Sequence, residues 1–288
     1  MTGLKVFIAG AGGMLASALE RLLGTAFELR ALTEAQLDIT DSAAVFEAIR
    51  EARPDVIVNA AAYTAVDQCE TEQGKAMLVN GTAVGHLARA AEMTGARIIH
   101  FSTDYIFDGE KEGPYGEDDV PNPVSAYGRS KLMGERELLR FTQNYIIIRT
   151  QWLYGENGKN FVDTIVRLAR QQDELKVVDD QYGSPTYTMD LARVVGWFAE
   201  HRDIKGQVFH FSNEGVVSWF GFAREILKLA GIGTRLVPVD TSAFPRPAKR
   251  PHNSALDKTK IRRLTNIDIR PWFDALYEYM ENTGRVAK

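Results

Sequence analysis

The chain has 288 residues, enough for one large α/β domain or two lobes, and its 45% hydrophobic and 25% charged residues are the proportions of a soluble globular protein. A net charge of −4 without runs of like charge excludes a nucleic-acid or anionic-membrane footprint and leaves small-molecule chemistry. Cys69, a lone cysteine, excludes an internal disulfide framework and suits the cytoplasm; the five histidines lack metal-ligand spacing, so no metal is expected, and no apolar run is long enough to span a bilayer.

Residues 4–9 read as a buried strand that runs into Gly10-Ala11-Gly12-Gly13-Met14-Leu15-Ala16, after which Leu15, Ala18, Leu19 and Leu22 recur at helical spacing. Strand, glycine turn and helix form the context of a dinucleotide-binding loop. Gly10 permits the turn, Gly13 lets backbone amides approach a pyrophosphate, and the helix beginning at Met14 and Leu15 points its dipole at that anion. A second strand is expected over 26–32. Its tip is where an acid would grip the ribose of NAD, and the spacing lands on Arg30, which reads either as a partner for the 2′-phosphate of NADPH or as an exposed strand-end arginine. In Asp38-Ile39-Thr40-Asp41, Asp41 reads as the N-cap of a helix over 43–52, and Asp38, with Ile39 beside it, as a contact for the adenine edge.

A third strand, 55–59, ends in Ala60-Ala61-Ala62-Tyr63-Thr64, small residues that either leave room for a cofactor against the backbone or serve close helix–sheet packing. A long helix over 73–94 is expected to close at Gly95, and a strand over 97–101 delivers Ser102-Thr103-Asp104 to the same edge. A Gly/Pro/acid-rich loop then leads to Ser125, the expected N-cap of a helix carrying Tyr127-Gly128-Arg129-Ser130-Lys131. Four positions apart, Tyr127 and Lys131 share a helix face, which reads either as a solvated helix start with an incidental aromatic or as acid/base chemistry in two residues, the ammonium lowering the phenol's pKa from about 10 toward neutrality.

A strand over 145–149 brings Trp152 and Tyr154 onto the next loop, where Trp152 reads as core or as the wall of a sugar or base pocket. Helices over 160–170 and 190–200 and strands over 176–178 and 208–211 continue the alternation. From Ser218 onward, helices over 219–230 and 271–282 and the segment 244–251 have no such period and read as a smaller lobe capping the strand edge. Arg246, Lys249 and Arg250 there suit a diphosphate or an exposed basic loop. The expected fold is a Rossmann-type doubly wound parallel sheet, residues 1–153 with about 176–215, plus a substrate lobe, about 154–175 with 216–288.

The ordered set of motifs resembles the extended short-chain dehydrogenases/reductases over nearly the whole chain. It comprises the glycine loop, Val58-Asn59-Ala60-Ala61-Ala62-Tyr63-Thr64-Ala65-Val66-Asp67, Ser102-Thr103-Asp104-Tyr105-Ile106-Phe107-Asp108-Gly109 and the Tyr127–Lys131 pair. It continues through Arg149-Thr150-Gln151-Trp152-Leu153-Tyr154-Gly155, Asp180-Gln181-Tyr182-Gly183-Ser184-Pro185-Thr186 and Phe244-Pro245-Arg246-Pro247-Ala248-Lys249-Arg250-Pro251. Ala16 stands where the family has a third glycine and Tyr63 where a histidine is usual. The resemblance implies hydride transfer from NADPH, with NADH admitted, to the C4 carbonyl of a nucleotide-linked keto sugar. It further implies that Tyr127 donates the proton, that Lys131 lowers its pKa and holds the nicotinamide ribose, and that Thr103 hydrogen-bonds the carbonyl. Asp104 and Trp152 are implied to contact the sugar nucleotide. Alternatives on the same pattern are another keto-sugar reductase, an epimerase, or a non-catalytic NADP-binding regulatory subunit like that of methionine adenosyltransferase; a homodimer is open.

Overall fold

In the computed structural model, which describes residues 3–287, six parallel strands form one sheet in the order Gln207–His210, Tyr145–Thr150, Arg97–Thr103, Val56–Asn59, Lys5–Ala9 and Glu28–Leu32. The central strands read as unbroken apolar runs because helices cover both faces of the sheet: Ile98, Ile99, Ile146, Ile147 and Ile148 are all inaccessible to solvent. Each such side chain contributes roughly 1.5–3 kcal/mol. Helices Met14–Leu23 and Thr188–Glu200 pack on one face, Ser42–Ala52, Ala83–Thr94 and Ala126–Phe141 on the other. The chain leaves Lys5–Ala9 toward one side and returns to Val56–Asn59 on the other, which opens a crevice at the C-terminal ends of those two strands.

Three expectations are corrected. The helix expected over 73–94 is broken into Gln73–Met77, a π-helical turn Leu78–Thr82 and Ala83–Thr94. The strand expected over 176–178 leaves the main sheet: Glu174–Val178 pairs with Arg235–Val239, a strand the period of the C-terminal region did not show. Its alternating burial places Leu175 and Val177 in the lobe core with Phe222, Ile226 and Leu276. The short helix Thr259–Thr265, also unexpected, returns to the sheet half and buries Ile261 there. Along the free edge of Gln207–His210, Glu117 accepts the His210 N–H at 3.0 Å and Lys260 donates to the Val208 carbonyl at 2.8 Å, so this edge is occupied by side chains.

Candidate active site

A cavity of about 620 Å³ lies along the C-terminal edge of the sheet, from Gly13 and Met14 past Ala60–Ala62 to Thr103, Tyr127, Lys131 and Trp152. Its floor is set by backbone proximity. Gly10 has φ +89°, and a Cβ there would lie 2.5 Å from the Ala61 nitrogen, so the glycine is demanded by conformation and by the approach of the alanine strip. Gly13 is the N-cap of helix Met14–Leu23 without a side-chain cap, leaving the first amides of the helix free for an anion. These features, joined to the shallow Ala60-Ala61-Ala62 wall, fit a dinucleotide.

Ser125 caps helix Ala126–Phe141 by accepting the Gly128 N–H at 3.1 Å. Gly128 lets the helix lie against the preceding turn, since a Cβ would meet the Tyr105 carbonyl at 2.1 Å. The helix thereby presents Tyr127 and Lys131 to the cavity. Lys131 is 3% exposed and donates to the Phe101 carbonyl at 2.7 Å; burial lowers its pKa to about 8, while Glu135 acts in the opposite direction. Tyr127 departs from expectation. Burial and then the negative charge of Asp104 raise its pKa, with only the Thr103 hydroxyl opposing them. Tyr127 is therefore a firmly protonated phenol, a donor and not a phenolate.

Thr103, at the end of its strand, donates to Asp104 Oδ1 at 2.9 Å. Burial raises the Asp104 carboxyl to about 6, with the nearby Ser254 and Thr103 hydroxyls acting in the opposite direction, and no hydrogen bond reaches its Oδ2. Trp152 holds φ +46° and stacks on Trp219 with ring centroids 3.5 Å apart, so the lobe supports one wall of the cavity.

The structure does not bring every expected residue to this cavity. Arg30 sits in register with Phe7, two residues short of the strand end, and pairs with Glu51 at 3.1 Å; the tip next to the glycine turn is Leu32, whose carbonyl accepts the Gly10 and Ala11 amides. The spacing counted along the sequence overshot neither strand nor turn; it picked a residue facing helix Ser42–Ala52. Asp38 closes a local turn on Thr40 and is exposed, and Ile39 is core. Tyr63 does not line the cavity, its hydroxyl sharing one proton between Gln68 Oε1 at 3.0 Å and Glu72 Oε2 at 3.1 Å, whereas Thr64 and Leu15 reach the cavity. Arg246, Lys249 and Arg250 are engaged: Asp67 pairs with Arg250 at 2.9 Å and Arg246 at 3.9 Å and accepts the Ala248 N–H, while Lys249 faces Glu110. Asp67 thus joins the alanine-strip segment to the C-terminal segment.

Sequence reasoning missed Asn80. Its amide accepts the Tyr63 N–H at 2.8 Å and donates to the Tyr63 carbonyl and to Ser130 Oγ, whose hydroxyl donates to the Tyr127 carbonyl at 2.7 Å. One side chain in the π-helical turn therefore aligns the cofactor wall with the Tyr127 helix, as such turns often do at functional sites. The available signal was Asn80-Gly81 in mid-helix. Lys159 was also missed; it lines the cavity opposite Met14.

Residues 4–285 match the family model described as the RmlD substrate binding domain. The chain is 44% identical to a dTDP-4-dehydrorhamnose reductase of Aggregatibacter actinomycetemcomitans, over 94% of this chain and 97% of that one. A dTDP-4-dehydrorhamnose reductase structure from Clostridium acetobutylicum superposes with TM-score 0.94 at 43% identity, covering 98% and 100% of the two chains. A Bacillus anthracis dTDP-4-dehydrorhamnose reductase in complex with NADP gives TM-score 0.94 at 34% identity, covering 97% and 99%.

Proposed function

The chain belongs to the family of the RmlD substrate binding domain, and on that premise we propose that it reduces the C4 keto group of dTDP-4-dehydro-β-L-rhamnose to give dTDP-L-rhamnose, with NADPH as reductant and NADH as a lesser substitute. The observation that carries the reading is the meeting of Tyr127, Lys131 and Thr103 at one end of a cavity whose other end is the glycine turn. When bound, the nicotinamide would supply the hydride. Tyr127, kept protonated by burial, donates the proton that the forming alkoxide needs, and Thr103 turns its hydroxyl from Asp104 to the carbonyl oxygen. Lys131, held at the Phe101 carbonyl in the same cavity, keeps a positive charge at this end and orients the cofactor ribose. Asn80 fixes the Tyr127 helix against the cofactor wall through Ser130. Asp104 and Trp152 face the sugar nucleotide. The convergence of Tyr127, Lys131 and Thr103 on one end of the cavity supports catalysis over a purely regulatory binding role.

The test is incubation with NADPH and dTDP-4-dehydrorhamnose, generated in situ by coupled enzymes, with product analysis. Formation of dTDP-L-rhamnose is expected; protein that binds NADPH and forms none of it overturns the reading. Cytoplasmic location and a homodimer belong to the same reading. The exposed Phe273 and Tyr277 of helix Trp272–Asn282 offer apolar surface for the dimer, and sedimentation measures it.

A further inference from the structure

Four buried polar atoms without a hydrogen-bond partner belong to residues lining the same cavity: Ser102 Oγ, Asp104 Oδ2, Thr150 Oγ1 and Gln151 Nε2. Buried polar groups are nearly always paired, so four at one end of a cavity mark the places where a ligand's polar atoms complete the network. Gln151 is the most informative of them. A backbone amide can be met only by the oxygen of a carboxamide, and Ser184 N–H donates to Gln151 Oε1 at 3.1 Å, which leaves the NH₂ end buried and without a protein partner. Ser184 is itself held, its hydroxyl donating to the Gly215 carbonyl at 2.6 Å, and Gln151 is 2% exposed. The amide is therefore fixed by the lobe side of the molecule, between Thr150, which is in register with Thr103, and Trp152.

We propose that Gln151 is a specificity-determining residue: its Nε2 donates a hydrogen bond to a ring hydroxyl oxygen of the keto sugar, at a carbon other than the one reduced. The inference rests on the reductase reading above. An oriented, desolvated donor discriminates more sharply than an apolar wall, because a substrate lacking the matching oxygen leaves the donor buried and unmet. The reacting carbonyl is already served by Thr103 and Tyr127, so the oxygen read by Gln151 lies at C2 or C3.

The experiment compares kcat/KM for the full dTDP-linked keto sugar with that for its 2-deoxy and 3-deoxy analogues, in wild type and in Gln151→Leu. Loss of the Ser184 partner in the variant affects all three substrates alike and cancels in their ratios. Wild type is expected to prefer the full sugar over one analogue by about 10²-fold or more. In Gln151→Leu that preference falls at least tenfold for the same analogue, while the dissociation constant of NADPH stays within about twofold. Unchanged selectivity in the variant overturns the proposal. So does a weakening of NADPH binding with selectivity retained, which would put the amide on the cofactor. Absence of reduction of the full sugar by wild type instead sinks the reductase reading, so the two failures are told apart.

Discussion

The sheet half is packed with aliphatic side chains from contiguous runs, while the lobe is packed with rings gathered from separate stretches: Tyr154, Phe161, Tyr187, Phe222, Trp272 and Tyr279. In the sheet, every residue of Val56–Asn59 and Arg97–Thr103 is buried, so each strand's position follows from its own composition. Among the described residues the lobe has three two-stranded pairs, each with other segments between the partners, and its rings interlock at centroid distances of 5.3–5.8 Å around Tyr154. The halves meet at the cavity through a few specific ties, Asp67 to Arg250, Gln151 to Ser184 and Trp152 to Trp219. On the proposed function, the difference teaches a division of labour to be tested: the uniform half would fix cofactor and acid, and the jointed half would adjust the substrate. Changes in the first should act on chemistry, and changes in the ties should act on substrate binding alone.

The largest effect should come from Tyr127→Phe, which removes one acid from the sheet half. Turnover is expected to fall by about 10²–10⁴ with NADPH affinity intact, measured by steady-state kinetics and cofactor titration. Turnover within twofold of wild type would place the proton donor elsewhere.

Asp67→Asn keeps an acceptor for the Ala248 N–H and removes the charge that holds Arg246 and Arg250. The pair is partly exposed, so a rise of roughly three- to tenfold in KM for the sugar nucleotide is expected, with NADPH binding within twofold. An equal loss for both ligands would erase the distinction between the halves.

Lys131 ties activity and stability to pH in opposite senses. Its pKa is lowered to about 8 from 10.5, so kcat/KM for NADPH, which reads the free enzyme, should fall above about pH 8 as the ammonium is lost. Below that pH the folded chain carries a buried charge that the unfolded chain keeps in water. The unfolded state therefore binds more protons between the two values, and the Lys131 contribution to stability rises from pH 8 to 10.5. Melting curves of wild type against Lys131→Met across that range isolate it; a difference that does not change with pH would contradict the lowered value.

The smallest effect belongs to Arg30→Ala. Its ion pair with Glu51 is exposed and away from the cavity, so the ratio of NADPH to NADH efficiency should move less than twofold. A larger preferential loss of NADPH would restore Arg30 to the cofactor site.

The sequence by itself determined the strands of the main sheet, the glycine turn, and the Tyr127–Lys131 spacing. Each depends on neighbours within a few residues: an apolar run, a missing Cβ, a four-residue helical step. Tertiary structure alone decided the rest. Strand Glu174–Val178 joined Arg235–Val239 because its alternating pattern suits one buried face, and the partner lies some sixty residues on, beyond any local signal. The Tyr127 pKa rises because of burial and of Asp104, brought in from the turn that follows strand Arg97–Thr103. Arg246 and Arg250 were claimed by Asp67, nearly two hundred residues earlier in the chain. The unmet amide of Gln151 exists only because Ser184 takes its oxygen. Charge and hydrogen-bond partnership are set by distance in space, and a linear sequence carries distance only along the chain.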